Sequence, residues 1–236
     1  MQSHGRRYFE TFNAPFSSHS LIWKRLQEED VKGKKVLELG VGDASLTRKL
    51  SEAGAIVDGV ELDPLYVKLA QPYCRRVLSG DLNEIAKMEL AGEYDIVIAA
   101  DVLEHLVRPE FVLSKLKACL QRNGLLVVSL PNVANLYVRL NLLIGRFPYH
   151  TKGILDRTHL RHYTLSTARK MLRKTGWVVE AGDVAAIPFV IVIPLMTRMP
   201  FRLLLYLFYG LTRLFKGALA YQSIFYCRNP NLSRLL

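Results

Sequence analysis

The chain has few cysteines and lacks any long apolar run. Its three cysteines, Cys74, Cys119 and Cys227, are widely spaced, and none belongs to a CxxC pair. This spacing argues against a disulfide framework and against a cysteine zinc site, so we expect a reducing compartment. No stretch reaches the ~20 apolar residues that a membrane-spanning helix requires. The polar N-terminus also lacks the apolar core of a secretory signal, and we therefore expect a cytoplasmic location.

Acidic residues are also in short supply. Lys and Arg number 32 against 21 Asp and Glu, which gives 236 residues a net charge of +11. Such an excess favours an anionic partner, whether nucleic acid, lipid headgroups or a phosphorylated substrate, and does not choose among them. Half of the residues are apolar. The length and this apolar fraction predict a single well-filled domain over residues 1–236.

Strand-like and helix-like segments alternate from about Lys35 onward. Short apolar runs rich in Val, Ile and Leu predict strands at Lys35–Leu39, Ala55–Glu61, Tyr94–Ala100 and Leu125–Leu130. Capping residues and apolar spacing predict helices over residues 17–30, 45–54, 109–124 and 166–176, with Ser17 or Ser18 capping the first and Ser166 the last. The first belongs to an N-terminal helical cap over residues 1–33. Repeated βα units predict a Rossmann-like, doubly wound, mainly parallel sheet.

The first βα turn is rich in glycine and flanked by acids. Gly40 and Gly42 follow the first strand, and Glu61 ends the second strand 21 residues after Gly40. Glycine lets the backbone approach a ligand, and an acid at that distance can accept the ribose hydroxyls of an adenosine. Asp43 would repel a pyrophosphate, whereas Glu38 could serve an ammonium group. The acids therefore favour a cationic adenosine cofactor over a dinucleotide.

Four motifs carry a family resemblance over residues 31–176: ELGVGDA, VDGVELD, SGDLNE and IVIAADVLEHL. In this order they resemble the class I S-adenosylmethionine (SAM)-dependent methyltransferases, with Ala44 in place of the usual third glycine. The resemblance implies a seven-stranded sheet whose last strand is antiparallel, pairing Trp177–Asp183 with Ala220–Cys227. It also implies SAM as cofactor, held by Glu38, Gly40, Gly42, Glu61, Leu62, Asp81, Leu82 and Asp101.

The post-strand motif Asp101–Leu106 lacks the proline and aromatic residue with which amino-methyltransferases clamp a flipped base, so no nucleic acid acceptor is expected. It is similar to that of O-methyltransferases acting on quinone precursors, sugars or glycans, which implies a hydroxyl acceptor. Three histidines are candidate bases: His105 after the fourth strand, and His159 and His162 in a predicted lid over residues 132–165. A structural role stays open for each. We considered Asp156, His159 and His162 as metal ligands, but their loose spacing predicts no metal.

An apolar insert over residues 184–219 separates the last two strands. Projected as a helix, Phe201–Lys216 gathers Arg202, Arg213 and Lys216 near two tyrosines, with leucines opposite, which favours a membrane-surface helix. Pro188, Pro194 and Pro200 would break a longer helix. We therefore expect peripheral membrane contact through residues 186–217, on the inner face, and a small-molecule or lipid-linked acceptor.

Alternatives stay open at this point. The insert could instead form an oligomer interface or lie buried on the domain. The enzyme could be a soluble metabolite or sugar methyltransferase that dimerises through this insert. A non-catalytic SAM-binding protein and a dehydrogenase are the other readings.

Overall fold

The computed structural model describes residues 14–90, 92–188 and 201–230. Within them the strands are β1 (Lys35–Leu39), β2 (Ile56–Glu61), β3 (Arg76–Ser79), β4 (Tyr94–Ala100), β5 (Leu120–Pro131), β6 (Val178–Ala185) and β7 (Gln222–Arg228). The helices are α1 (Ser18–Glu28), α2 (Ser45–Glu52), α3 (Pro64–Ala70), α4 (Pro109–Cys119), α5 (Leu136–Leu143), α6 (Leu165–Lys174), α7 (Phe201–Leu214) and α8 (Lys216–Leu219). Short 3₁₀ helices lie at Gln71–Tyr73, Leu82–Lys87 and Leu103–His105.

The strands form one sheet in the order β3-β2-β1-β4-β5-β7-β6. Strands β1 to β5 are parallel to one another, and β7 runs antiparallel between β5 and β6. This arrangement confirms the predicted doubly wound sheet with an antiparallel last strand. Because β1, β2 and β4 are adjacent and parallel, their carboxyl ends meet at one edge, where ligands bind in such sheets.

Alternating residues of the central strands face two separate apolar cores. Val36 and Ile96 pack with α1 and α2 on one face, whereas Leu37 and Val97 pack with α4 and α6 on the other. Both faces are therefore covered, as expected from apolar runs with little polar alternation. The first helix is capped by Ser17, whose hydroxyl accepts from the Ser20 amide, as predicted.

The main differences from the sequence predictions concern the ends of two helices and one strand. Helices α3 and α5 were also not predicted, and β5 begins at Leu120 instead of Leu125. Helix α4 ends at Cys119 instead of continuing to Gly124, because Leu120 already pairs with Tyr94 of β4. Helix α6 is capped by Thr164 and not by Ser166: Thr164 and Thr167 form a reciprocal capping box. Strand β3 was not predicted, since its four residues are only partly buried and show no clear periodicity.

A buried carboxylate ties β2 to β3 and β4. Asp58 is fully buried and accepts hydrogen bonds from Arg75 (2.6 and 2.9 Å), Arg76 (2.9 Å) and Tyr94 (2.7 Å). Burial alone would raise the pKa of Asp58, but these donors together lower it below its usual value. The network fixes the strand that carries Glu61.

The predicted C-terminal helix is present as α7, followed by α8. Leu205 and Thr212 of α7 are buried against the domain, whereas most of its leucines are exposed. None of the helices in the described residues is long and apolar enough to cross a membrane. Residues 1–13 of the predicted N-terminal cap, and Pro194 and Pro200 of the insert, lie outside the described residues.

Candidate active site

A cavity of about 640 Å³ opens at the carboxyl ends of β1, β2 and β4. Its size is in the range of sites for small molecules and cofactors. All eight residues predicted to bind a cofactor line it: Glu38, Gly40, Gly42, Glu61, Leu62, Asp81, Leu82 and Asp101. Pro131 at the end of β5 and the chain around residues 152–159 also line it. We call the part lined by the eight predicted cofactor-binding residues the cofactor end, and the part lined by His105 and His159 the second end.

The glycine turn has backbone angles that favour residues without a side chain. Gly40 and Gly42 have φ angles of +65° and +51°. A Cβ at Gly40 would lie 2.8 Å from Cγ2 of Val102, whereas one at Gly42 would meet no atom within 4 Å. Ala44 also has a positive φ, +60°, which an alanine tolerates at some cost. The backbone of the turn thus lines the cavity directly.

Backbone amides fix the acid at the end of β2. The Glu61 carboxylate accepts hydrogen bonds from the amides of Gly42 (2.9 Å), Leu62 (2.8 Å) and Asp63 (2.9 Å). Asp81 is held similarly, because its carboxylate accepts from the backbone and side-chain nitrogens of Asn83 at 2.8 and 2.9 Å. Both carboxylates are therefore oriented before any ligand arrives.

Glu38 lies deeper, at the end of β1. Its carboxyl group is buried and accepts a 2.7 Å hydrogen bond from the hydroxyl of Thr47. Burial raises the pKa of Glu38 to about 8, with smaller contributions from the negative charges of Asp43 and Glu61. A cationic ligand beside Glu38 would reverse that shift, because an opposite charge favours the ionised carboxylate.

Asp101 closes the end of β4 in a left-handed conformation, with φ +56°. Its carboxylate accepts hydrogen bonds from the Ser129 hydroxyl (2.8 Å) and the Gln222 side chain (2.6 Å). Asp101 is thus tied to both β5 and β7 at the middle of the cavity.

Two histidines face the second end of the cavity. Nδ1 of His105 lies 3.2 Å from the Thr158 carbonyl oxygen, and Nδ1 of His159 lies 3.1 Å from that of Ile154. A carbonyl can only accept, so each ring carries its proton on Nδ1 and leaves the Nε2 lone pair available. The two ring centroids are 4.8 Å apart. Both histidines line the cavity and can accept a proton there.

A buried acid beside the two histidines was not predicted from the sequence. Glu104 is 1% exposed, and neither carboxylate oxygen has a hydrogen-bond partner among the described residues. Burial, and secondarily the charge of Asp101, raises the pKa of Glu104 well above its ordinary value. Oε1 of Glu104 lies 3.9 Å from Nε2 of His159, whose own pKa is lowered by burial and by His105. The only sequence signal was a carboxylate among apolar residues of the DVLEHL motif.

These three side chains also form a group with metal-ligand chemistry. One ligand atom each from Glu104, His105 and His159 lie within 4.8 Å of one another. Carboxylate and imidazole suit a divalent cation. This group differs from the one considered in the sequence, which was Asp156, His159 and His162. Asp156 lines the cavity, but His162 does not, and its ring centroid is 6.4 Å from that of His159.

The model of a methyltransferase domain family matches residues 9–181. The chain belongs to this methyltransferase family. Membership confirms the family predicted from the four motifs, and SAM is its cofactor. The residues at the cofactor end fit that group, since the carboxylates suit its positive charge and the glycine turn presents bare backbone to the cavity.

Similar proteins include O-methyltransferases of ubiquinone biosynthesis. The mitochondrial enzyme of Schizosaccharomyces pombe is 24% identical over 63% of this chain and 56% of its own length. The enzyme of Bordetella avium is 30% identical over 44% of this chain and 45% of its own. The chain thus spans about half the length of these curated relatives.

Two solved structures show the same fold. Magnesium protoporphyrin IX methyltransferase from Synechocystis PCC 6803, with bound SAH, has a TM-score of 0.59 at 20% identity, covering 89% of this chain and 80% of its own. A SAM-dependent methyltransferase from Archaeoglobus fulgidus has a TM-score of 0.59 at 20% identity, covering 94% and 99%. The methyltransferase therefore shares their sheet and helix arrangement.

Proposed function

We propose that the methyltransferase transfers a methyl group from SAM to a hydroxyl oxygen of a small-molecule acceptor. One observation carries the proposal: His105 and His159 present Nε2 lone pairs to the same cavity that the glycine turn lines. A hydroxyl must lose its proton as its oxygen attacks, and a neutral imidazole suits that task. The O-methyltransferase relatives support an oxygen acceptor.

In this proposal SAM supplies an activated methyl group on a positively charged sulfur. The residues of the chain hold and align the reactants. Glu61 and Asp81 orient the nucleoside, Glu38 faces the cationic end, and Nε2 of His105 or His159 accepts the hydroxyl proton. An oxygen–carbon bond forms as the carbon–sulfur bond breaks, leaving a methyl ether, S-adenosylhomocysteine and an imidazolium. Alignment itself contributes much of the acceleration.

The relatives support a phenol as the acceptor class. Quinone precursors are phenols, and a phenol hydroxyl is acidic enough for a histidine base. A sugar, glycan or lipid-linked hydroxyl is the alternative. The predicted contact of residues 186–217 with a membrane also stays a proposal; it is supported by the exposed leucines of α7.

The experiment combines binding and transfer. Calorimetry with SAM, S-adenosylhomocysteine and NAD tests the cofactor, and labelled SAM with a panel of phenols and sugars tests the acceptor. We expect His105→Ala and His159→Ala to keep SAM affinity and to lower kcat by about 10²- to 10⁴-fold. His162→Ala is the matched control, since His162 lies outside the cavity.

Equal rates for all three variants would contradict the histidine assignment. Binding of SAM with no transfer to any hydroxyl would favour a non-catalytic SAM-binding protein, and binding of NAD would favour a dehydrogenase.

Dialysis against a chelator separates two roles of the histidines. Unchanged activity supports bases, whereas activity restored only by a divalent ion supports metal ligands.

A further inference from the structure

Two segments of the chain carry nearly all of its excess charge. Residues 132–155 and 184–236 contain nine of the 32 basic residues and none of the 21 acidic residues. They therefore account for nine of the eleven net positive charges. The rest of the chain is close to neutral, so the attraction to an anionic partner is confined to these segments.

Helix α5 in the first segment exposes an apolar surface. Val138 is buried, but Leu143 is 80% exposed and Ile144 is 65% exposed, with Leu140 and Leu142 more than half exposed. Arg139 and Arg146 lie in the same stretch and are exposed. A helix whose apolar residues point outward beside basic ones is not explained by packing within the chain.

Helix α7 in the second segment is oriented in the same way. Leu205 and Thr212 face the domain, and Tyr209 beside them is held there: Phe16 stacks on its ring at 4.1 Å, and its hydroxyl donates to Asp183. Arg202 and Arg213 of α7 stay exposed. Its outward residues are Leu203, Leu204, Leu207, Leu211 and Leu214, each about half exposed or more. The leucines therefore face outward, the reverse of an ordinary surface helix.

Buried asparagines tie the two helical regions together. The Asn132 side chain donates to the carbonyls of Gly217 (3.3 Å) and Ala220 (3.0 Å). The Asn135 side chain donates to the carbonyls of Leu219 (3.3 Å) and Ala220 (2.8 Å), while its oxygen caps α5. The start of α5 is thus fixed against the end of α8.

We propose that α5 and α7 together form one docking surface for an anionic lipid bilayer. The outward leucines enter the interface, and the basic residues of the same acid-free segments meet the headgroups. Charge complementarity selects this occupant over a second copy of the chain, because two copies would bring like charges together.

The two segments that carry the surface also reach the cavity, which gives docking a consequence for the acceptor. Gly153, Pro188 and Tyr221 belong to these segments, outside α5 and α7, and line the cavity. A docked molecule would therefore take its acceptor from the bilayer side, as a hydroxyl compound with an apolar body. This consequence rests on the proposed function, whereas docking itself can be measured without any transfer.

The test is co-sedimentation with vesicles of phosphatidylcholine, with and without about 30 mol% phosphatidylglycerol. We expect binding to the anionic vesicles that weakens with added salt. Leu143→Glu in α5 and Leu207→Glu in α7 should each lower vesicle affinity at least about tenfold, because each removes apolar contact and adds repulsion. Val178→Glu is the matched control: Val178 is half exposed at the opposite end of β6.

Folding is checked by S-adenosylhomocysteine affinity, which we expect all three variants to retain. Loss of vesicle binding in Leu207→Glu alone would overturn the two-helix surface. No binding by the parent protein would overturn the bilayer as occupant. Sedimentation equilibrium tests a second copy of the chain as the occupant. If the parent protein forms a dimer and does not bind vesicles, and if either leucine variant is a monomer, the surface is a dimer interface.

Discussion

The two ends of the cavity differ in how their carboxyl groups are held. At the cofactor end, the carboxylates of Glu61 and Asp81 are held by nearby backbone amides, and the turn is shaped by Gly40. At the second end, Glu104 has no hydrogen-bond partner among the described residues, and the neighbouring segments are acid-free and apolar on the outside. The carboxylates of the first end are thus fixed by groups of the chain itself, whereas the buried carboxyl group of the second is not.

The largest effect should come from filling the glycine turn. Gly40→Val would force a branched side chain against Val102 and shift the turn that lines the cavity, so we expect SAM affinity to fall at least about 100-fold. Gly33→Val is the matched control, because Gly33 has a similar φ of +73° but no atom within 4 Å of its added Cβ. Calorimetry on both variants measures the difference; equal losses would show that backbone strain, and not the site, is responsible.

The hydrogen-bond network of Asp58, which fixes the strand carrying Glu61, can be disrupted without changing a residue that lines the cavity. Asp58→Asn leaves Arg75 and Arg76 without their charge partner, and we expect the free energy of unfolding to fall by about 2 kcal/mol. The value is at the low end for a buried pair because both arginines are partly exposed. Asp95 is a partly buried acid that accepts a hydrogen bond from the Lys35 amide at 2.8 Å, and Asp95→Asn should change stability by less than about 0.5 kcal/mol.

The Asp58 carboxylate also makes the stability of the protein depend on pH. Because the folded pKa of Asp58 is lower than its unfolded value, its contribution is present in full above the unfolded pKa. It is lost as pH falls through the folded pKa. Denaturant titrations of Asp58→Asn should therefore show a shallower acid dependence than the parent. Parallel curves would contradict the network.

The smallest effect concerns Glu38. Since its pKa is raised to about 8, the carboxyl group is mostly protonated at pH 7, and a cationic ligand must release that proton. SAM affinity should rise with pH by about fivefold between pH 7 and 8, by about tenfold in all up to pH 9, and then level off. Glu38→Gln should bind more weakly and lose this dependence. A pH-independent parent would show that Glu38 does not face the cationic end.

The contrast between the two ends also explains what the sequence could predict. Strand β1, the glycine turn and Glu61 follow from local pattern, because residues close in sequence fix their geometry. Glu104 and His159 could not be paired from sequence, since 55 residues separate them and their contact depends on how the chain returns over β4. The outward orientation of α7 was also hidden: periodicity shows two faces but not which one meets the domain. The ends of α4 and α6 were misplaced because strand pairing at Leu120 and capping by Thr164 prevailed over the glycine and serine signals.

The position of β7 has a consequence for how the molecule is made. This strand is the last of the seven in the chain, yet it lies inside the sheet, bonded on both sides. Until residue 228 has been synthesised, β5 and β6 each present a row of free amides and carbonyls to any neighbouring chain. Nascent or proteolytically clipped molecules are then the aggregation-prone form, and a ribosome pause shortly after β6 would lengthen their exposure.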